Sequence, residues 1–405
     1  TGFNAQQPIA GTTDVYEIYG EVIIPVLKDL PLVHAFNIEA GGRYSDYSTE
    51  AVGGVTSWKA GGDWSLTEDF RIRGLYQRAI RAPSVFELFR AGDQNFPGYT
   101  DPCAGITSTG STVVVSATTQ AACTAQFAAF GLVYPGPTFT QTNTQFEQLL
   151  FGGPDLQEER SRTFTVGAVY TPSFIDNLTL TIDYFNIQVD DVVGRRFAGD
   201  SVFGSADGAL DLCIAQGGVA LAPGASDPCF GVRRLSNGDA QIAFSDLANL
   251  SELETRGIDF ALNYGFATDF LPSPVAGDFR FSINGTRLLN FTFDGLDQTD
   301  TNFGTGSSFP TWRFNARFNY QVGPLNTSWQ TQFIGEVSDA NGEPVSHRLY
   351  HDFGLQYELG ENYQFSFGIN NVFDRQPPEF SLFASTQANT DPGQYDVIGR
   401  YFFVG

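Results

Sequence analysis

Apolar and polar residues alternate along much of this chain with a period of two. From Thr311 to Tyr320 the sequence reads TWRFNARFNY, which sets Trp312, Phe314, Ala316, Phe318 and Tyr320 against Arg313, Asn315, Arg317 and Asn319. Successive side chains of a strand point to opposite faces, so the pattern predicts a strand with one apolar and one strongly polar side. Tyr363, Phe365, Phe367 and Ile369 alternate in the same way with Gln364, Ser366, Gly368 and Asn370. So do Ile258, Phe260, Leu262, Tyr264 and Phe266 with Asp259, Ala261, Asn263 and Gly265, and no stretch of comparable length carries helical spacing.

About thirteen such segments are predicted, near residues 13–24, 33–47, 54–66, 70–81, 159–170, 178–191, 253–266, 278–292, 308–320, 325–337, 346–358, 363–372 and 395–404. Most are longer than the ~5–6 residues usual in soluble sheets and close to what a tilted membrane strand requires. Short links at Val26 to Leu32, Thr67 to Asp69, Thr171 to Asn177, Gln321 to Pro324 and Leu359 to Glu361 alternate with long ones near 82–158, 192–252, 293–307 and 373–394; 267–277 is of intermediate length and falls in the short series. Short turns on one side and long loops on the other are the mark of an outer-membrane barrel, whose long loops face outward. Tyr16, Tyr44, Trp58, Trp64, Tyr170, Trp312, Tyr320, Trp329, Tyr357 and Tyr363 sit where apolar faces begin or end, as interfacial girdles do. The other reading of these aromatics is the core of a β-sandwich.

Composition narrows the class. The chain has 405 residues, 17% of them charged, with 38 Phe and no Met. No run of about 18 or more uncharged apolar residues is present to form a spanning helix, and Thr1 to Ala10 lacks the basic start and apolar run of a secretory signal. These features are those expected of an internal piece of a longer, processed chain. The formal charge of −23 argues against a nucleic-acid partner. Four cysteines form two local pairs, Cys103 with Cys123 and Cys213 with Cys229, in Gly/Pro/Ser/Thr-rich stretches. Without a C-x-x-C and with only three histidines, zinc is a poor reading, and two loop disulfides in an oxidising compartment fit better.

At Arg78 to Phe89 the chain reads RAIRAPSVFELF, following a strand and opening the longest loop. Arg81, Ala82, Pro83, Ser84, Glu87, Leu88 and Phe89 in it resemble the RAPS-x-x-ELF signature of TonB-dependent outer-membrane receptors. GINNVFDRQPP, with Asn371, Phe373 and Asp374, is similar to the N-L-F-D-K-x-P segment near the end of those barrels, and GRYFFVG from Gly399 to Gly405 resembles their closing strand. LETRGIDFALNY resembles a further family strand, and FTVGAVYTP with LTLTIDYFNIQVDD a central hairpin. DPC at Asp101 and again at Asp227 resembles members whose outer loops carry disulfides. The resemblance implies an all-β, transmembrane antiparallel barrel, with about thirteen strands present of the family's 22. Residues 1–405 are then expected to be the carboxyl-terminal part of the barrel, without the plug domain and the TonB-contacting segment.

No catalytic constellation is legible. His347 and His351 stand four apart on one predicted strand, roughly 13 Å of separation, and His34 lies near a short turn. Haem-uptake receptors of the family carry a histidine in the loop after the RAP segment, and residues 82–158 contain none. Asp294, Asp297 and Asp300 match no tight calcium loop. Arg71, Arg73, Arg280, Arg313, Arg317 and Asp259 fall on the polar faces and are candidates for contact with ligand or plug; Glu17, Glu21, Glu39, Lys59 and Asp63 share that side by parity. Phe96, Tyr99, Tyr134, Phe139, Phe380 and Phe383 in the long loops are candidates for recognition by stacking.

The resemblance implies a receptor in the outer membrane of a Gram-negative bacterium that takes up a scarce solute, such as a siderophore-iron chelate, a cobalamin or an oligosaccharide. It implies no enzymatic activity, no cofactor and no metal. The expected partners are outer-membrane lipid, the ligand, and the TonB-ExbB-ExbD system through an N-terminal part, with the receptor a monomer. A passive porin and a secreted soluble β-rich binding protein are the alternatives; the first requires an inward-folded constriction loop with opposed charges, which the sequence does not display.

Overall fold

The computed structural model describes residues 7–96, 100–108, 110–143, 145, 148–195, 213–215, 217–219, 229, 232–245, 247–272, 275–301, 308–339, 342–380 and 390–405. One large antiparallel sheet dominates, and its path visits the long strands in chain order. These are β1 (Val15–Leu30), β2 (Val33–Tyr47), β3 (Gly54–Ser65), β4 (Phe70–Arg81), β5 (Glu159–Tyr170), β6 (Leu178–Arg195) and β7 (Leu247–Ala267). They continue as β8 (Asp278–Phe293), β9 (Trp312–Val322), β10 (Leu325–Ile334), β11 (Arg348–Leu359), β12 (Tyr363–Asn370) and β13 (Tyr401–Val404). Every segment expected from the alternation overlaps one of these strands.

The ends differ where local chemistry intervenes. The link expected from Val26 is instead more strand: Pro25 has no N–H to donate, the register slips between Pro25 and Leu27, and pairing resumes to Leu30 opposite Val33. β7 begins at Leu247, before the expected start, and pairs with an extended β6 through two further register shifts. β13 is only Tyr401–Val404, because residues 395–400 are taken up in a turn clasped by Asp374 and Asp396.

Strand register fixes which residues share a face. One row of directly opposed residues runs Asn37, Asp63, Arg73, Gly167, Asp183, Asp259, Thr286, Arg313 across β2 to β9. On the other face the neighbouring row runs Phe36, Trp64, Ile72, Ala168, Ile182, Phe260, Gly285, Phe314, Phe333 and Leu349. Ile23 of β1 and Asp259 of β7 line a single cavity of about 530 Å³, so the polar face is the concave one. The apolar face is convex and bare: Ile182 is 53% and Phe402 61% exposed. It is a wall built to face something other than water, as expected of a membrane barrel.

The buried core lies not in the wall but above it. Cys103, Cys123, Phe127 and Phe139 from the β4–β5 connection pack with Cys213, Cys229, Val232 and Ala240 from the β6–β7 connection. Both expected disulfides are formed, Cys103 to Cys123 and Cys213 to Cys229. Two helices stand in the first connection, α1 (Val85–Phe89) and α2 (Ala117–Ala129). A small sheet draws Ala91–Asn95 and Gln148–Phe151 from one connection and Val232–Arg234 and Ala240–Ser245 from the other. A second buried cluster, Ile334, Val337, Val345, Tyr350, Phe380 and Tyr395, seals the base of the β10–β11 and β12–β13 loops.

Gly167 shows how closely the concave face is fitted. Arg73 reaches across β5 to Asp183 with paired bonds of 2.9 and 2.7 Å, and a Cβ on Gly167 would lie 1.9 Å from the Asp183 Oδ1 and 2.7 Å from the Ile182 carbonyl. Part of that conflict is with backbone, so it cannot be relieved by turning one side chain. Gly167→Ala is expected to displace the ion pair and to destabilise the sheet by about 1–3 kcal/mol, as overpacking does. Comparison of thermal unfolding in detergent with that of Asp183→Asn, which removes the pair without the clash, measures this: G167A is expected to be the more damaging.

Candidate functional site

The concave face divides electrostatically. On β1 to β3 the charges satisfy one another: Lys59 Nζ lies 2.6 Å from Glu21 and 3.6 Å from Glu39, Arg43 lies 3.5 Å from Glu17, and the Asn37 amide donates to Asp63 at 2.8 Å. Arg73 is committed to Asp183, and Arg317 donates to the Gln330 side chain at 2.8 Å. Arg71, Arg280 and Arg313 form no ion pair among the described residues. Among the described residues Asp259 accepts only from the Thr286 hydroxyl, at 2.6 Å. Arg71, Arg73 and Asp259 line the 530 Å³ cavity, Arg313 the next one along with Asp259, and Arg280 a third nearer the short turns. The six polar-face candidates therefore share one surface but not one site, and three of them keep guanidinium donors free for something that is not the wall itself.

The segment from Arg81 to Phe89 is a clamp at the root of the cap. Arg81 ends β4 and donates to Glu159 of β5, at 2.5 and 2.6 Å, and to Glu87 of α1, at 2.9 and 3.0 Å. Glu159 also accepts from the Val193 amide of β6, so one arginine ties three strands to a helix. Ser84 caps α1, its hydroxyl accepting from the Glu87 amide while the Glu87 carboxylate accepts from the Ser84 amide. Pro83 and Leu88 are buried beneath. Phe86 and Phe89 are exposed; Phe86 lies under the Arg90 guanidinium at 4.9 Å. Burial pulls the Glu87 carboxyl up, but Arg81 and the two Ser84 donors more than offset it and hold the group below the usual carboxylate range.

Asn371 and Asp374 form the matching clasp at the far end of the sheet. Asn371, in the left-handed region at φ 49°, is 2% exposed and bonds Asp352, Arg375 and Asp396. The Asp374 carboxylate accepts from the Arg400 amide at 2.9 Å and so sets the start of β13. Phe373 projects outward, 65% exposed, against Trp329 and His351. His351 is held by the Thr331 hydroxyl at 2.9 Å, and His347 stands just outside β11.

The cap is held by a buried charge pair. Arg234 and Asp101 have fully buried side chains and come from connections 133 residues apart. The Arg234 guanidinium also bonds the Gln126 side chain at 2.6 and 2.8 Å and the Gly238 carbonyl at 3.0 Å, and stacks on Phe127 at 4.6 Å. This network has no signature at sequence level beyond an unremarked arginine. The loop aromatics proposed for recognition fare unevenly. Phe139 is 5% exposed and Tyr134 half-buried, both packed on Phe127, and Phe380 is 5% exposed against Tyr395. These three serve the loop cores rather than an outer contact surface. Phe96 is exposed, and Tyr99 and Phe383 lie outside the described residues.

The sequence model of the family described as TonB dependent receptor-like, beta-barrel, matches residues 1–372. No curated protein matches the chain. Among solved structures the chain is similar to a mutant of the ferric enterobactin receptor PfeA from Pseudomonas aeruginosa in complex with enterobactin, with a TM-score of 0.56 and 16% identity over 97% of this chain and 45% of that one. It is likewise similar to the siderophore receptor PirA from Acinetobacter baumannii, with a TM-score of 0.56 and 15% identity over 97% of this chain and 45% of that one. At such identities the likeness is one of fold, and the chain spans about 45% of the length of these receptors.

Two outcomes follow from the cap and its root. Arg234→Met leaves the Asp101 carboxylate buried and unpaired, a loss of about 3–5 kcal/mol; hydrogen exchange is expected to accelerate in α2 and Val232–Arg234 and to stay unchanged in β8 to β10. A carboxyl whose folded pKa is depressed adds stability above its unfolded pKa and loses it as pH falls through the folded value. Protease protection of α1 is therefore expected to fall on acidification below the ordinary carboxylate range, and the part of that pH dependence due to Glu87 to vanish in Glu87→Gln.

Proposed function

The chain belongs to the TonB-dependent receptor-like β-barrel family, and on that premise we propose that it forms the wall and outer loops of a receptor for energised uptake of a siderophore-iron chelate across the outer membrane of a Gram-negative bacterium. The observation that carries the choice of ligand is the set of arginines on the concave face without carboxylate partners among the described residues. A wall that served only as a wall would pair its inward charges with one another, as β1 to β3 do. Free guanidinium groups at Arg71, Arg280 and Arg313 suit a polyanionic ligand whose carboxylates or catecholates present planar, bidentate acceptors. The siderophore receptors among the structural neighbours support the same class.

In this reading the remainder of the receptor supplies the other barrel strands, which pair with the outer edges of β1 and β13, and a plug inside the concave face. Unpaired strand edges cannot face hydrocarbon. The TonB-ExbB-ExbD system acts through the N-terminal part, the receptor is a monomer, and the convex belt contacts outer-membrane lipid. The cap, closed by two disulfides and the Arg234–Asp101 pair, holds the outer loops in one arrangement over the pore, as recognition loops on a rigid scaffold require. The wall provides binding and passage; no bond chemistry is assigned to it.

The test is uptake of radiolabelled iron as catecholate and carboxylate chelates by cells carrying the full-length receptor. Arg280→Gln with Arg313→Gln is expected to reduce uptake at limiting chelate by about tenfold or more, from the loss of two charge-assisted hydrogen bonds, with surface expression unchanged. Uptake that persists without TonB, or that ignores the double substitution, sinks the proposal.

A further inference from the structure

Two residues nearer the loops than the charged row, Gly61, Leu75, Thr165, Phe185 and Gly257 lie side by side on the concave face across β3 to β7. Where the charged row presents Asp63, Arg73, Asp183 and Asp259, this one presents a leucine and a phenylalanine, each with a glycine on its far side. The two glycines decide how these side chains lie. A Cβ on Gly61 would come within 2.8 Å of the Leu75 Cδ1, and one on Gly257 within 2.5 Å of the Phe185 ring. Leu75 therefore leans over β3 and Phe185 over β7, in opposite directions and away from β5 between them.

What they leave is a slot. Its walls are Leu75 and Phe185, its floor is Thr165, and its inner end opens on Arg71 and on the bridge from Arg73 to Asp183; all of these line the 530 Å³ cavity. The Thr165 hydroxyl makes no hydrogen bond among the described residues. Neighbouring strands stand about 4.8 Å apart, so β4 and β6 are separated by roughly 10 Å. A flat ring in contact on both faces needs roughly 7 Å between the atoms that flank it. The slot thus admits one planar ring standing on edge and is too narrow for a bulky aliphatic group. Outward of Phe185 the same face of β6 continues with Ile187 and Val189, which gives the slot an apolar lip toward the loops.

We propose that this slot takes one planar aryl arm of the ligand, an aromatic ring bearing acidic oxygens, and that Phe185 determines a preference for aryl over aliphatic chelates. The Phe185 ring offers stacking that is worth more than its area of contact alone. The Thr165 hydroxyl donates to a phenolate or carboxylate oxygen on the ring, and the Arg71 guanidinium meets the charge at the inner end. A carboxylate on a flexible aliphatic arm gains nothing from the two apolar walls, which would strip its water without replacing it. The charged row by itself suits any polyanion; the row above it adds a criterion of shape.

The inference deepens the proposed function and rests on it, and the experiment separates the two. Purified full-length receptor in detergent is titrated with ferric 2,3-dihydroxybenzoate and with ferric citrate, and binding is followed by quenching of tryptophan fluorescence for wild type, F185L, F185Y and T165V. Wild type is expected to bind the aryl chelate at least about tenfold more tightly than the citrate chelate, and F185L to lose about tenfold of that preference. F185Y, which keeps the ring, is expected to retain it. T165V, which keeps the shape of the floor and removes its hydroxyl, is expected to weaken the aryl chelate by about tenfold. Equal affinity of the wild type for the two chelates, or F185L and T165V receptors that prefer the aryl chelate as the wild type does, overturns the slot while leaving the chelate receptor intact. Binding of neither chelate by the wild type overturns the proposed function itself, and the slot with it.

Discussion

Hydrocarbon offers a peptide group nothing to hydrogen-bond, so a wall in lipid must pair every amide and carbonyl with its own neighbours. Between its two edge strands the antiparallel path from β1 to β13 meets this demand, each strand bonded to the next in chain order. The rest follows from the pleat. With the backbone satisfied, side chains are free to differ by face, and the chain puts Ile, Phe and Trp outward and Asp, Arg and Asn inward along the same strand. The departures from regular pairing occur where the backbone loses a donor, at Pro25, where a strand runs up beyond the wall, in β6 and β7, and at one slip between β7 and β8 beside Gly257.

Alternation made the strands legible, because it is local and repeated: ten residues around Trp312 suffice to identify β9. The cap was illegible for the opposite reason. Its helix α2 is rich in alanine and threonine and shows no strong apolar stripe, and its core joins Asp101 to Arg234 over 133 residues. Periodicity carries no information about such a contact. The loop aromatics illustrate the same limit: Phe139 and Phe380 look, as loop residues, like contact groups, but a folded loop needs a core, and large apolar side chains are what it has for the purpose. The segments at Arg81 and Asn371 stood out as words; their role as clamps became visible only in the bonds that Arg81 makes to Glu87 and Glu159, and Asn371 to Asp352 and Asp396.

Charge is used in three distinct ways within one sheet and its loops. Arg234 is wholly buried, and its worth lies in the damage its loss would do to Asp101. Lys59 and Arg43 balance carboxylates on a wetted inner surface, where each pair contributes little. Arg71, Arg280 and Arg313 have no acid partner among the described residues, and an uncompensated cation on a concave surface creates a positive potential for whatever passes. The overall charge of −23 conceals this local excess of cations.

The bridge from Arg73 to Asp183 passes over Gly167, joining β4 to β6 with β5 between them. Such a link discriminates among registers. If β5 slid by two residues relative to its neighbours, the same faces would still point inward and outward, and the backbone ladder would close just as well. The position under the bridge would then hold Thr165 or Val169, whose side chains would fill the space that the guanidinium and carboxylate occupy. The missing side chain of one residue thus acts as a keyhole, making the native alignment of three strands the one in which the ion pair can shut, and lending the assembling sheet a check on a slip that neither hydrophobicity nor hydrogen bonding would detect.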